Sequence, residues 1–501
     1  MSLPHDVWAH IASFLPPSQL DDLYSLSSTF FNIAMDQRYH QISLSYLTRK
    51  MVRTLERIRD PYVAKRVKVL YLHPHFVKDV INRDHSPLLS SNSTLLSRLG
   101  DFASQLRDQK LFGKQRSRCH LFKFKTFEDF QEAAVDILNS LPNLTDLHLA
   151  WSGLPAVGDS PVPIISASFV PHLRRLWLDI SLEKLAFMLP HFSNLQNIEQ
   201  LDLFIRIDHE LDSKRYENIL VQFAQTINGL HRTLRKFAIQ LWEPLDISSF
   251  FSSLHCLPLL AHVSLSIPIG GPHLGDSDAI TNFFNLHSAS LRSLSIRATE
   301  LGEWARVPND IQLYDWIENA FSGIRLSCLA SLEISLGLIP VESAMVCIRK
   351  FAGTLRSLVL AGRRLSLHDI DTITSAFPHC HLSSNGFHGL DSLRLGSVTL
   401  NPQLMDLLAE RLPHVSRLEL LVRDVVPYQG DHPLYYKSCP DHDQDESQLT
   451  RFFEEMERRF YPDWRIRQLV LSAGAFPFKL QHEPLYKDVL RQCAPSLESF
   501  A

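Results

Sequence analysis

The sequence predicts an α/β fold in which short parallel strands alternate with outer helices, preceded by a small module of three helices. A hexapeptide of alternating leucines recurs along most of the chain, and amphipathic helical patterns separate its copies. The first 40 residues do not belong to this repeat. We therefore predict a helical module at 1–40, a connector helix and first strand at 41–72, and an irregular repeat domain at 73–501.

The three helices of the module follow from apolar spacing and from the residues between them. The first helix carries the apolar side chains of Val7, Trp8, Ile11, Phe14 and Leu15. Pro16 and Pro17 end it, Ser18 is a suitable N-cap for the second helix, and the third begins near Ser27 or Ser28. A module this small cannot bury all of its large apolar groups, so some must face a partner.

The same segment resembles an F-box. The matching pattern is L-P-x-D-V-W-x-x-I-x-S-F-L-P, then L-x-x-L-x-x-x-S-x-x-F-x-x-I-A, running from Leu3 to Ala34. The whole chain resembles fungal-type F-box proteins with degenerate leucine-rich repeats. The resemblance implies a substrate-recognition subunit that binds the Skp adaptor, which links it to a cullin–RING ubiquitin ligase. It implies no catalysis by the chain itself and no cofactor.

The resemblance also assigns the adaptor contact, or its support, to nine positions. They are Leu3, Pro4, Val7, Trp8, Ile11, Phe14, Leu15, Leu20 and Leu23. Trp8 is a departure from the motif. Tryptophan occurs at this position in related sequences, but leucine and isoleucine are also common there. Two alternatives stay open: a helical cap on a repeat scaffold outside any ligase, and an adaptor-binding protein that never joins a ligase.

The repeated hexapeptide has the form L-x-x-L-x-L with conservative replacements. Its copies begin at 67, 144, 173, 198, 234, 260, 291, 329, 355, 390, 415 and 466, with a truncated copy at 497. From 144 onward the mean period is about 32 residues, longer than the 20–29 residues of compact leucine-rich repeats. Alternating leucines point to one face of a strand, and stacked repeats bury that face together.

Helices are predicted between the strands, for example at 127–141 and 216–230, where Gly229 is a suitable stop. The connector holds a first short strand around Ile42 and Leu44 and a basic helix before the strand at 67–72. Acidic residues interrupt its basic charges and the formal net charge of the chain is −4, so nucleic acid is not an expected partner.

The strand residues that alternate with the buried leucines would line the open face of the sheet and bind a protein substrate. The candidates are His148, Arg175, Trp177, Asp202, Phe204 and Lys236. Large aromatic groups with a polar rim are typical of recognition surfaces. Burial of Trp177 under a loop or under the C-terminal residues is the alternative.

A long gap between two hexapeptides predicts an insertion at 423–463, with a helix from about 447 to 460. Cys439, Asp441, His442 and Asp443 in the insertion, and the run 379–381, match no standard metal-ligand spacing, so no metal site is predicted. The sequence contains no G-x-S-x-G, phosphate-binding glycine loop or H-E-x-x-H, so an enzyme is not expected.

The cysteine content and the uncharged stretches of the sequence indicate the cellular compartment. Seven scattered cysteines without C-x-x-C spacing favour reduced thiols in the cytoplasm or nucleus. The longest uncharged stretch, 247–275, contains three prolines and is a poor membrane span. No membrane association and no secretory signal are expected.

Overall fold

The computed structural model describes residues 4–23, 25, 27–45, 49–73, 132, 135–151, 166–167, 172–207, 213–243, 245–267, 274–298, 310–377, 389–427, 442–473 and 483–500. The chain divides into two compact units, Met1–Asp212 and Ser213–Ala501. The predicted domain boundaries after residues 40 and 72 both fall inside the first unit. No helix in the part described is long and apolar enough to cross a membrane.

The first unit begins with helices and continues as a parallel sheet. Its helices are α1 (His5–Ser13), α2 (Pro17–Leu23), α3 (Ser28–Tyr39), α4 (Arg49–Ile58), α5 (Pro61–Ala64) and α6 (Leu182–Met188). Its strands are β1 (Gln41–Leu44), β2 (Val69–Leu72), β3 (Asp146–Ala150), β4 (Arg175–Ser181) and β5 (Gln200–Arg206). From β1 to β5, neighbouring strands pair in parallel and in chain order.

The second unit repeats the same plan. Its strands are β6 (Lys236–Leu241), β7 (His262–Ile267), β8 (Ser293–Ala298), β9 (Ser331–Ser335), β10 (Ser357–Ala361), β11 (Ser392–Leu400), β12 (Arg417–Val425), β13 (Gln468–Ala473) and β14 (Ser499–Phe500). Its helices are α7 (Ser213–Asn228), α8 (Ser248–Ser253), α9 (Ser277–Leu286), α10 (Asp310–Ser322), α11 (Val341–Phe351), α12 (Leu367–Thr374), α13 (Pro402–Arg411), α14 (His442–Glu457) and α15 (Glu483–Cys493). These strands also pair in parallel and in chain order.

Each copy of the hexapeptide forms a strand that starts two residues after its first apolar position. In β4, Leu176, Leu178 and Ile180 are buried, whereas Trp177 and Asp179 between them are half-buried. Burial of each such leucine or isoleucine contributes about 1.5–3 kcal/mol. The prediction of an α/β leucine-rich-repeat fold with parallel strands and outer helices is therefore confirmed.

The module helices agree with the sequence except at one cap. Ser27 caps α3, because its Oγ accepts a hydrogen bond from the backbone N–H of Phe30 at 3.2 Å. The predicted N-cap at Ser18 is wrong. Helix α2 begins at Pro17, and the backbone N–H groups of Gln19 and Leu20 donate to the carbonyl of Pro16. Proline is favoured at a first helical position because its missing N–H would have no partner there.

Phenylalanines form the core between the helices of the second unit. Ring centroids lie 5.1–5.6 Å apart from one ring to the next along Phe223, Phe250, Phe251, Phe283, Phe284 and Phe321. Each of these rings is at most 2% exposed. This aromatic row joins α7, α8, α9 and α10, so each repeat is stabilised by its neighbours.

Two further predictions differ in detail from the structure. Strand β12 continues to Val425, so the first residues of the predicted insertion belong to a strand. Helix α14 begins at His442 instead of about 447. Residues 428–441 lie outside the described residues, as do residues 127–131, 133 and 134 of the helix predicted at 127–141.

One buried histidine stabilises the second unit in its neutral form. His287 Nε2 accepts a hydrogen bond from the Leu257 N–H at 2.9 Å, and Nδ1 donates to the Phe283 carbonyl at 2.7 Å. Burial lowers the pKa of His287 below the ordinary 6.5, although its bond to the Phe283 carbonyl opposes that shift. A second proton would occupy Nε2 and remove the acceptor.

We therefore expect the Leu257 amide to lose protection as the pH falls. The unfolded chain binds the proton first, so the stabilisation is fully present above pH 6.5 and is lost as the pH falls below 6.5 toward the folded pKa. Hydrogen exchange of Leu257, normalised to intrinsic rates at pH 7.5 and 5.5, measures this loss. His287→Gln should lower stability by about 1 kcal/mol at pH 7.5 and reduce the pH dependence. The exposed control His255→Gln should leave both unchanged, and an equal effect of this control would contradict the assignment.

Candidate protein-interaction site

The three module helices pack around a small apolar core. Ala12, Leu20 and Phe30 are buried, and partly buried side chains pack against them. Those side chains are Trp8, Leu15, Leu23 and Ile33. The Trp8 and Phe30 rings meet edge to face with centroids 5.0 Å apart. An inward apolar stripe, formed by Trp8 and Ala12 of α1 and by Leu15 just after the helix, therefore holds the module together.

A second apolar stripe of α1 faces outward. Val7 and Ile11 are each 38% exposed and Phe14 is 75% exposed. Val7 and Ile11 lie on α1, and Phe14 is its C-cap with helical backbone angles. Their spacing of i, i+4, i+7 places them on one side of the helix, about 100° around from the inward stripe. Phe31 on α3 is also exposed at 38%. We call Val7, Ile11 and Phe14 the outer stripe; such a contiguous apolar surface is typical of a protein-interaction site.

The structure thus separates the nine predicted adaptor positions into two groups. Pro4, Val7, Ile11 and Phe14 are exposed, with Pro4 immediately before α1. Trp8, Leu15, Leu20 and Leu23 belong to the module core or pack against it. Leu3 lies outside the described residues. The exposed group is accessible at the surface, whereas the inward group shapes the helices that present it.

A buried arginine joins the module to the first repeat. Arg66, which follows α5, donates to the carbonyl of Asn32 at 3.0 Å and to its side-chain oxygen at 2.7 Å. It also forms an ion pair with Asp36 of α3, and its guanidinium lies 4.4 Å from the centre of the Tyr62 ring. Removing this side chain would leave several polar groups without a partner. The sequence analysis did not single out Arg66 among the basic residues of the connector, because its partners Asn32 and Asp36 lie 30 or more positions away.

Four aromatic rings form a strip across the sheet of the first unit. Tyr71 and His148 stack with ring centroids 4.2 Å apart, His148 and Trp177 are 6.0 Å apart, and Trp177 and Phe204 are 4.8 Å apart. The parallel register brings them together, since Tyr71 lies opposite His148 and His148 opposite Trp177. All four side chains are half-buried, so we name this set the aromatic strip. Trp177 is therefore neither a core residue nor fully exposed.

Ion pairs border the aromatic strip. Arg175 binds Asp146, which is itself buried, and Arg206 Nε lies 3.3 Å from Asp179 Oδ1. Asp202 accepts a hydrogen bond from Gln200. Partial burial lowers the pKa of His148, although the nearby Asp146 and Asp202 carboxylates oppose that effect. The aromatic strip therefore presents neutral rings, bordered by polar side chains that their ion pairs and hydrogen bonds hold in place.

The predicted substrate-facing residues therefore lie together in five of six cases. His148, Arg175, Trp177, Asp202 and Phe204 all lie on strands of the first unit, whereas Lys236 begins β6 in the second unit. Sequence reasoning omitted Tyr71 and Arg206 from the candidates. Tyr71 was detectable, since it takes the same place in the hexapeptide at 67 as His148 does in the hexapeptide at 144.

The described residues contain no group of three or more side chains placed to hold a metal ion. Cys439, Asp441 and the run 379–381 lie outside the described residues, as do the side chains of His442 and Asp443. Burial raises the pKa of the Cys347 thiol to about 12 and that of Cys493 to about 11. Both thiols are protonated at neutral pH and are not nucleophiles there.

Comparisons with known proteins assign the chain to no family. No family model matches the chain, and no curated protein matches it. A crystal structure of the leucine-rich repeat-containing protein LegL7 from Legionella pneumophila covers 58% of this chain and 87% of its own, at 15% identity and a TM-score of 0.36. A crystal structure of the Rad7 and Elc1 complex in yeast matches 70% of this chain and 97% of the compared chain, at 11% identity and a TM-score of 0.23. With TM-scores this low, neither structure carries information about function.

The two stripes of α1 should respond differently to truncation. Trp8→Ala removes an inward ring that packs against the module core and should destabilise the module by about 2–3 kcal/mol. This cost is below that of truncating a fully buried tryptophan, because Trp8 is only partly buried. Phe14→Ala should change its stability by less than about 0.5 kcal/mol. Hydrogen exchange of α1 and α3 amides measures both effects. Comparable destabilisation by the two substitutions would contradict the assignment of an outer stripe.

Proposed function

We propose that this chain is the substrate-recognition subunit of a Skp–cullin–F-box ubiquitin ligase. The outer stripe of α1 is the observation that carries the proposal. A helix that already buries one apolar stripe exposes a second, with Phe14 at its end, and this second stripe matches F-box positions in the sequence. Large apolar anchors of this kind dominate the binding energy of protein interfaces.

The role assigned to the chain is binding without catalysis. The Skp adaptor contacts the outer stripe and connects the chain to a cullin–RING ligase, which performs ubiquitin transfer. A protein substrate binds the aromatic strip, where partly exposed rings lie among positioned polar groups. The Arg66 contacts hold the module against the first repeat, so both surfaces belong to one compact unit. This role places the chain in the cytoplasm or nucleus and needs no cofactor.

A pull-down with purified Skp adaptor tests the first step. The full chain should bind, and Ile11→Asp/Phe14→Asp should weaken binding by about 30-fold or more, because charges would enter the apolar contact. Both substitutions lie on the outer stripe, so they spare the module core; a substitution at Leu15 would test folding instead. The matched control is Phe460→Asp, which changes a phenylalanine 64% exposed in the second unit.

The outcomes separate the proposed receptor from the alternatives. No adaptor binding by the intact chain would leave a leucine-rich-repeat scaffold outside any ligase. Equal loss with Phe460→Asp would show a nonspecific effect of added charge. Adaptor binding without co-purification of a cullin would indicate an adaptor-binding protein outside the ligase.

The aromatic strip should determine which proteins the ligase modifies. Ubiquitin-remnant proteomics would compare cells that express the full chain with cells that express Trp177→Ala/Phe204→Ala. We expect the ubiquitylation gained with the full chain to be lost in the double variant, while adaptor binding stays unchanged. Phe187→Ala, an exposed phenylalanine on α6, is the control. An unchanged set of modified proteins in the strip variant would contradict the assigned substrate surface.

A further inference from the structure

A regular row of residues precedes the strands of the second unit. The backbone N–H of Ala261 donates to the carbonyl of Arg235, that of Arg292 to Ala261, that of Ala330 to Arg292 and that of Arg356 to Ala330, at 2.8–2.9 Å. These five residues therefore occupy successive positions along the edge where the strands begin. Arginine and alanine alternate in the row.

The three arginines of the row are exposed. In the part of the chain that the structure describes, their side chains form no hydrogen bond and no ion pair. Arginines at the same position elsewhere do have acidic neighbours, because Arg174 lies 3.4 Å from Glu199 and Arg467 lies 4.0 Å from Glu498, each one strand further along. Alanine stands in that neighbouring place after Arg235 and Arg292, and Asp391 stands there after Arg356. Asp391 Oδ1 accepts a hydrogen bond from Ser416 Oγ at 2.5 Å, and no ion pair joins it to Arg356 in the part of the chain that the structure describes. The charges of the three arginines are left for an external partner.

The positive charge of this edge affects a neighbouring group. His262 begins β7, opposite Lys236 on β6 and Ser293 on β8. Its pKa is lowered first by partial burial, and further by the charges of Lys236 and Arg292. The edge is therefore electropositive around β6–β8, although the whole chain carries a net charge of −4.

The spacing of the arginines selects one kind of partner. Neighbouring strands lie about 4.8 Å apart, so arginines two strands apart are separated by about 9.5 Å along the backbone. A peptide in the extended polyproline II conformation advances about 3.1 Å per residue with three residues per turn, so every third side chain lies on the same face, about 9.3 Å from the next. Duplex nucleic acid carries about one charge per 1.7 Å, far more than three arginines over about 19 Å can match.

We propose that Arg235, Arg292 and Arg356 bind an extended acidic protein segment that crosses the strands and carries Asp or Glu at every third position. Each carboxylate would accept hydrogen bonds from one guanidinium, in the two-pronged geometry that arginine favours. This surface lies in the second unit and involves none of the module residues, so it does not rest on the proposed ligase function.

Fluorescence polarisation with the full chain tests the proposal. The probe is a labelled peptide of four Glu-Ser-Gly units; a peptide of equal composition with its four glutamates contiguous and a 12-nucleotide single-stranded DNA are the comparisons. We expect the periodic peptide to bind at least threefold more tightly than either comparison, and less tightly as salt increases. Absence of binding, or preference for the contiguous peptide or the DNA, would overturn the proposal.

Variants assign the binding to the row. R235Q/R292Q/R356Q should weaken binding of the periodic peptide by about tenfold or more. R235K/R292K/R356K keeps the three positive charges and should bind this peptide more tightly than the triple glutamine variant, but less tightly than the unsubstituted chain. R174Q/R467Q, at the same row position but beside glutamates, should leave affinity unchanged. Circular dichroism melting verifies that each variant is folded. Unchanged affinity in the triple glutamine variant, or equal loss in R174Q/R467Q, would overturn the proposal.

Discussion

Burial of alternate leucines in each strand is the constraint on which the structure depends. A single repeat cannot cover the apolar side of its strand, so strands pair in parallel with their neighbours and helices close the other layer. Once Leu147, Leu176 and Leu201 are fixed inward, His148, Trp177 and Asp202 must lie on the opposite face, because side chains alternate along a strand. The same requirement that stabilises the core therefore places the aromatic strip.

The helical module satisfies a different constraint, because it has too few residues to bury everything apolar that it carries. The segment of α1 and the two residues after it divides its apolar groups between an inward stripe and the outer stripe, which lie about 100° apart around the helix. The inward stripe is Trp8, Ala12 and Leu15, and the outer stripe is Val7, Ile11 and Phe14. A helix needs only one such stripe to pack against its neighbours. The second is costly to leave in water, which is the physical reason for assigning it to a partner.

Electrostatic differences between the two surfaces come from neighbouring strands. Arg175 and Arg206 border the aromatic strip with aspartates beside them, so they orient polar groups and add little free charge. Arg235 and Arg292 have alanines in the corresponding neighbouring place and keep their charge exposed. For these four arginines the residue one strand away, more than 25 positions along the chain, distinguishes a paired side chain from an exposed one, whereas Arg356 is unpaired although Asp391 follows it in the row.

The sequence by itself determined the strand positions, since each hexapeptide starts a strand two residues later, and it determined the face on which His148, Trp177 and Phe204 lie. It also located the three module helices, except that Pro17 and not Ser18 begins α2. Only the tertiary structure separated Trp8 from Phe14, because both stripes of α1 are apolar and only packing against Phe30 distinguishes them. It alone revealed the Arg66 contacts with Asn32 and Asp36 and the unpaired arginine row, because these depend on which distant residues the parallel register places side by side.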